Sequence, residues 1–302
     1  MRRKLEGRLH GDHQGLLPGH GSEPGEARHY RAGDDVRRID WAVTARTNVP
    51  HVRDTIADHE LTTIGVIDLS GSLHFGTARR QKRDVALEVL GAMGFVTAHG
   101  ANRFGVLALH PDGEYWFAPA SGRHHVHATL RRVSRLPRVN AARQGGATAS
   151  VDLARGLART SRLARRRGMV VVISDFLSGA QDAREGRSGS PPWATRLRAL
   201  ADRHEVLAVD VVDPRELSLP AVGYLTVADP ETGRRRVVDT ADAALRQRYA
   251  GAAQAQRAVI ASHIRRSGAD HLTVRTDGDW LADLIRHVEV RRRSRMSRSA
   301  RR

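Results

Sequence analysis

Three short runs constrain this chain more than any other feature: residues 62–67, 169–174 and 205–212. Each is a short, predominantly apolar stretch rich in Val or Ile, with no regular polar alternation. Strands read this way when both faces are covered, which is the condition of a parallel sheet. Stretches rich in Ala, Leu and Arg with helical period lie around them, at 79–99, 125–135, 151–167, 194–203, 241–267 and 280–287. Weaker strand signals fall at 103–109, 114–117 and 271–274. Strands that alternate with helices need crossover connections. The pattern therefore predicts an α/β fold with a doubly wound, mainly parallel sheet.

One segment breaks the alternation. Residues 222–227 and 234–238 flank Asp229-Pro-Glu-Thr-Gly233, which reads as the turn of a β-hairpin spanning about 221–238. The stretch 179–192 is a loop by composition. The expected organisation is an irregular segment at 1–60 packed on the main domain, an α/β domain at 61–290, and a disordered arginine-rich tail at 291–302.

The first apolar run stops on a carboxylate, Asp68, and presents hydroxyls two and four residues later, at Ser70 and Ser72. The run at 169–174 also stops on a carboxylate, Asp175. Ligands of open parallel sheets bind at the carboxyl ends of the strands. If the two runs are neighbours, both carboxylates face one crevice with the two hydroxyls. Hard oxygen ligands with few charges suit Mg²⁺, which keeps several waters. An ion held by only two acids stays electropositive and can accept a carboxylate from a partner. The structural alternative is turn chemistry for Asp68, Ser70 and Ser72 and a helix cap for Asp175.

Other chemistry finds little support. There is no cysteine, which excludes disulfides and thiolate sites. The 16 histidines fall in no metal-ligating frame, and no G-x-S-x-G occurs. A strand-end aspartate acting as a phosphotransfer nucleophile needs an acid two residues on, and Ser70 stands there. The expectation is a non-enzyme. No run reaches the roughly 18 apolar residues of a membrane span, and no apolar segment follows the basic N-terminus, so the expected location is cytoplasmic. Net charge is +17, with seven arginines in the last twelve residues. Such a tail could bind nucleic acid or an anionic membrane, although aromatics are only 4% of the chain.

Two motifs carry a resemblance. Asp68-Leu-Ser70-Gly-Ser72 is similar to the D-x-S-x-S motif of von Willebrand factor A (vWA) domains, the metal-ion-dependent adhesion site. The stretch 29–46, HYRAGDDVRRIDWAVTAR, with the arginine before it, resembles the signature of the DUF58 family: Arg28, Tyr30, Gly33, Asp34, Asp35, Arg37, Ile39, Asp40 and Trp41 all match. Residues 203–233 are similar to actinobacterial members of that family. The resemblance implies a vWA-like fold without enzyme activity. It also implies a role beside MoxR-type AAA+ ATPases, as an adaptor for the ATPase or its client proteins in chaperone-like or stress functions. Carried over residue by residue, it makes Asp68, Ser70 and Ser72 the first metal motif and Asp175 the third. The second needs a threonine in a glycine-rich loop, for which Thr148 is the candidate. Aligning VDLARGL with the family's T-D-L helix start instead puts Val151 there. The residues of the 29–46 signature read as structural: a turn, an Arg–Asp network, and Trp41 burying its ring.

Overall fold

The computed structural model describes residues 24–31, 36, 39–55, 61–138, 150–178, 190–229 and 234–299; for 24–28, 53–55 and 291–299 this means the backbone only. The chain divides into two units, 1–60 and 61–302.

In the first unit, β1 (Pro24–His29) pairs antiparallel with β2 (His51–Thr55) around helix α1 (Trp41–Thr47). Asp40 caps α1, its carboxylate accepting from the N–H groups of Ala42 and Val43 at 3.0 and 3.1 Å. Its own N–H donates to His51 O at 2.8 Å, and Ile39 bridges Val52. Tyr30 N–H donates to Pro50 O, and Arg28 pairs with Val52 in the ladder. Gly33, Asp34, Asp35 and Arg37 lie outside the described residues. Trp41 corrects the sequence reading: the residue is 72% exposed. Helix α1 buries none of its residues, so its cap and backbone bonds to β2 hold it rather than an apolar face.

The second unit is built on a sheet whose strands follow β3 (Thr62–Asp68), β4 (Arg103–His110), β5 (Gly113–Ser121), β6 (Met169–Ser174), β7 (Glu205–Val212) and, after a separate hairpin β8 (Tyr224–Ala228) and β9 (Arg235–Asp239), β10 (Asp270–Arg275). The spatial order is β10-β7-β6-β3-β4-β5. All neighbours are parallel except β5, which returns antiparallel along β4 as an edge strand. The doubly wound, mainly parallel α/β sheet expected from the apolar runs is present, as the vWA resemblance also implies, and so is the hairpin.

The helices are α2 (Lys82–Thr97), α3 (Arg123–Ser134), α4 (Leu153–Leu163), α5 (Pro192–Ala201), the single turn α6 (Pro214–Leu217), α7 (Ala243–Arg266) and α8 (Trp280–Ser299). Leu153, Leu157, Trp193, Leu197, Ile260 and Ile264 of α4, α5 and α7 pack on Ile64, Val66, Val170 and Val172 across one face of the sheet. Helix α2 lies against β3 and β6 on the opposite face. Every residue of β6 is buried, as is every residue of β3 after Thr62. This double coverage is why those strands read as continuous apolar runs.

Local chemistry sets the helix starts. Helix α2 begins at Lys82 rather than 79 because Gln81 and Asp84 form a reciprocal capping box. Helix α4 begins at Leu153 rather than 151 because Asp152 accepts from Arg155 N–H at 2.9 Å. The tail needs the largest correction. The backbone of α8 stays helical to Ser299, through residues whose composition predicts disorder. Arginine is a good helix former, and a preformed helix propagates at low cost.

Candidate functional site

Strands β3 and β6 are direct neighbours, so Asp68 and Asp175 do meet at the carboxyl edge of the sheet. Asp68 is 3% exposed and Asp175 1%. Ser70 N–H donates to Asp68 Oδ1 at 2.8 Å, and Ser174 Oγ donates to Oδ2 at 2.7 Å. The Ser70 and Ser72 hydroxyl oxygens are 3.1 Å apart, and the Ser72 hydroxyl helps lower the Asp175 pKa. Asp175 caps no helix among the described residues. Its Oδ1 accepts from Leu177 N–H at 3.1 Å. The reversal that permits this puts Phe176 in the left-handed region, at φ 54°. A phenylalanine there is strained, and burial of its ring against Trp193, at 5.1 Å between centroids, holds it in place.

A set of residues not singled out in the sequence completes the site. Lys82, the first residue of α2, is wholly buried and donates from Nζ to Asp175 Oδ2 at 2.7 Å and to Glu216 Oε1 at 2.6 Å. Arg257 of α7 donates to Asp210 Oδ1, to Glu216 Oε2 and to the Asp175 carbonyl, each at 3.0 Å. Asp213, just past β7, accepts from Thr77 N–H and Oγ1, Thr276 Oγ1 and Arg215 N–H. One signal could have found Asp213. The run Val211-Val212-Asp213 is a third apolar strand that ends on aspartate, at the same edge of the sheet as Asp68 and Asp175. Asp210, a carboxylate inside an apolar run, was a second signal. Lys82 sits among arginines and Arg257 in an alanine-rich stretch of helix, so the neighbours of neither mark it as a site residue.

The electrostatics separate the two strand-end acids. Burial, and then the charge of Asp175, push the Asp68 carboxyl up to about 6. Burial would also raise Asp175. The Lys82 ammonium, its hydrogen bond, the Ser72 hydroxyl and Arg257 outweigh that and hold Asp175 below the ordinary carboxylate range. Lys82 is likewise lowered by burial but raised overall by Asp175 and Glu216.

The oxygen set fits a divalent cation in chemistry and spacing. Cis ligands of an octahedron with bonds of about 2.1 Å lie about 3.0 Å apart, close to the 3.1 Å between the two serine hydroxyls. Fully ionised, Asp68, Asp175, Asp210 and Glu216 against Lys82 and Arg257 leave two negative charges in the cluster. No trio of His, Cys, Asp or Glu among the described residues is placed to hold a metal. An ion here would therefore rest on Ser70 and Ser72, with Asp68 and Asp175 behind them. Thr148 lies outside the described residues. Val151 precedes the Asp152 cap and packs on the core.

The sheet order, the buried hydroxyl–carboxylate site and its place at the strand ends define a vWA-like α/β protein. The chain belongs to the DUF58 family: residues 26–259 match the family described as "Protein of unknown function DUF58". A relative in Mycobacterium tuberculosis (strain H37Rv), "Uncharacterized protein Rv1480", is 47% identical over 297 residues, covering 98% of this chain and 88% of that protein. "Uncharacterized protein MAV169" of Mycobacterium avium is 43% identical over 177 residues, 59% of this chain and 94% of that one. Among solved structures, BatB from Bacteroides thetaiotaomicron is similar with a TM-score of 0.46 and 15% identity, over 79% of this chain and 99% of that one. The SpRpn10 VWA domain is similar with a TM-score of 0.38 and 11% identity, over 75% and 94%. No helix among the described residues is long and apolar enough to cross a membrane.

Proposed function

We propose that this protein is a non-enzymatic protein-interaction module that docks partners at the carboxyl edge of its sheet, through Mg²⁺ held by Ser70 and Ser72 with Asp68 and Asp175. The observation that carries the reading is the pair of serine hydroxyls 3.1 Å apart beside two buried carboxylates. Mg²⁺ would supply an electropositive point with room for an acidic side chain of the partner. The chain's own residues set its surroundings: Ser174 and Ser70 N–H orient Asp68, and Lys82 orients Asp175. The partner is a MoxR-type AAA+ ATPase or one of its clients. The DUF58 resemblance, which implies a role beside such ATPases, supports this choice.

The test is affinity capture with the full chain, in Mg²⁺ and in EDTA, using native protein and a Ser70→Ala/Ser72→Ala variant. The reading expects an AAA+ ATPase retained by native protein in Mg²⁺ and lost both in EDTA and with the variant. Retention that ignores EDTA, falls steeply with salt and vanishes on removing residues 291–302 would favour the other reading. That is an adaptor acting on nucleic acid or an anionic membrane through its basic tail.

A further inference from the structure

The chain contains 48 arginines and two lysines, Lys4 and Lys82. Lys82 occupies a poor place for a cation on two counts. It is the first residue of a helix, where the macrodipole repels positive charge, and it is wholly buried. Two carboxylates compensate, Asp175 at 2.7 Å and Glu216 at 2.6 Å. The choice of lysine has a physical sense. An ammonium is a compact point charge, whereas a guanidinium spreads its charge over a planar fork. At this position the chain places the side-chain cation most like a metal ion, directly on one of the two strand-end carboxylates.

We propose that Lys82 is a tethered cation that competes with the divalent ion for Asp175 and so holds the site's ion affinity down. The inference rests on the Mg²⁺-dependent reading above and deepens it. Asp175 has one oxygen on the ammonium and the other on Leu177 N–H, so an ion gains its full attraction only when the Lys82 contact loosens. Glu216 decides how firmly Lys82 is shared. It takes Lys82 on Oε1 and Arg257 on Oε2, and thereby draws the ammonium partly away from Asp175. An interaction site with restrained ion affinity binds its ion firmly only when a partner carboxylate completes the coordination. Ion and partner then bind cooperatively.

Charge and competition can be separated by three variants of the full chain. Lys82→Met removes the competitor and one positive charge. Glu216→Gln leaves the competitor on Asp175 and removes a negative charge. The double variant Lys82→Met/Glu216→Gln frees Asp175 while restoring the net charge of the native cluster. It also leaves no acid at Glu216 short of a cation, a loss that, added to the unpaired buried Asp175, could prevent Lys82→Met from folding. Folding is checked by circular dichroism. Binding is read by calorimetry with Mg²⁺ and by the electron paramagnetic resonance of free Mn²⁺.

The double variant should bind either ion at least about tenfold more tightly than native protein, and Glu216→Gln more weakly than native. If native protein binds the ion and the double variant binds no better, competition is overturned while the Mg²⁺ reading stands. If native protein binds none and the double variant does, Lys82 fills the ion's place outright. Competition then holds, and the Mg²⁺-dependent reading of the native protein falls. If neither binds, both are overturned.

Discussion

Ser174 Oγ donates to Asp68 Oδ2 at 2.7 Å from the neighbouring strand. One wall of the site is thus a bond between the two strand ends that form it. The bond lowers the Asp68 pKa, but burial and the nearby Asp175 raise it more, to about 6. The sign follows from linkage. A carboxyl whose folded pKa lies above its unfolded value of 3.8 contributes stability that is full below 3.8 and is lost as pH rises through about 6. That displacement corresponds to about 3 kcal/mol. Asp68→Asn keeps an acceptor in place without the charge. In EDTA its stability relative to native protein should therefore grow in favour of the variant from pH 4 to pH 7, read by urea melts at each pH. Asp68→Ala is the worse probe, because it strands the donors of Ser70 and Ser174 in a buried site.

Asp213 behaves in the opposite sense. Burial raises it, yet hydrogen bonds from Thr77, Thr276 and Arg215 hold it below the ordinary carboxylate range. Its contribution is present above the unfolded pKa and is lost as pH falls through the folded one. Asp213→Ala should destabilise by about 3 kcal/mol at pH 7, since it removes a cap and several charge-assisted bonds together. The deficit should shrink below pH 4, as measured by thermal melts across pH.

His204 is 5% exposed, and neither ring nitrogen has a protein partner. Burial, then Arg203 and Arg167, hold its pKa below the ordinary 6.5. The unfolded ring takes a proton first, so this position loses stability as pH falls below about 6.5. His204→Phe should remove that loss. The variant should gain on native protein between pH 7 and pH 5 in the same melts.

Packing gives a paired prediction. A Cβ on Gly156 of α4 would lie 2.5 Å from Leu109 Cδ1, and Leu109 pairs in register with Asp68. Gly156→Ala should cost about 1–3 kcal/mol despite alanine's better helix propensity. A Cβ on Gly251 of α7 meets nothing within 4 Å. Gly251→Ala should stabilise by up to about 1 kcal/mol. Chemical denaturation of both variants distinguishes the two cases.

The sheet was legible in the sequence because burial on both faces leaves an unbroken apolar run. The bounds of β6 and β7 follow from that signal alone. The meeting of Asp68 and Asp175 was legible because each ends such a run. The cations and the remaining acids of the site were not. Lys82 reaches Asp175 across 93 positions of the chain and Glu216 across 134. Contacts between elements that far apart leave no local period. Trp41 misled because an aromatic in a motif suggests burial, whereas α1 buries none of its residues. The tail misled because composition reports solvation and charge, not whether a helix already begun upstream continues through it.

The most direct test of the central claim is a crystal of the full chain grown with Mn²⁺ and measured for anomalous scattering. The account predicts a peak bonded to both Ser70 Oγ and Ser72 Oγ at about 2.1–2.2 Å, absent in the Ser70→Ala/Ser72→Ala variant. No peak at that position, with the two hydroxyls still bonded to each other and Asp175 still held by Lys82, would contradict it.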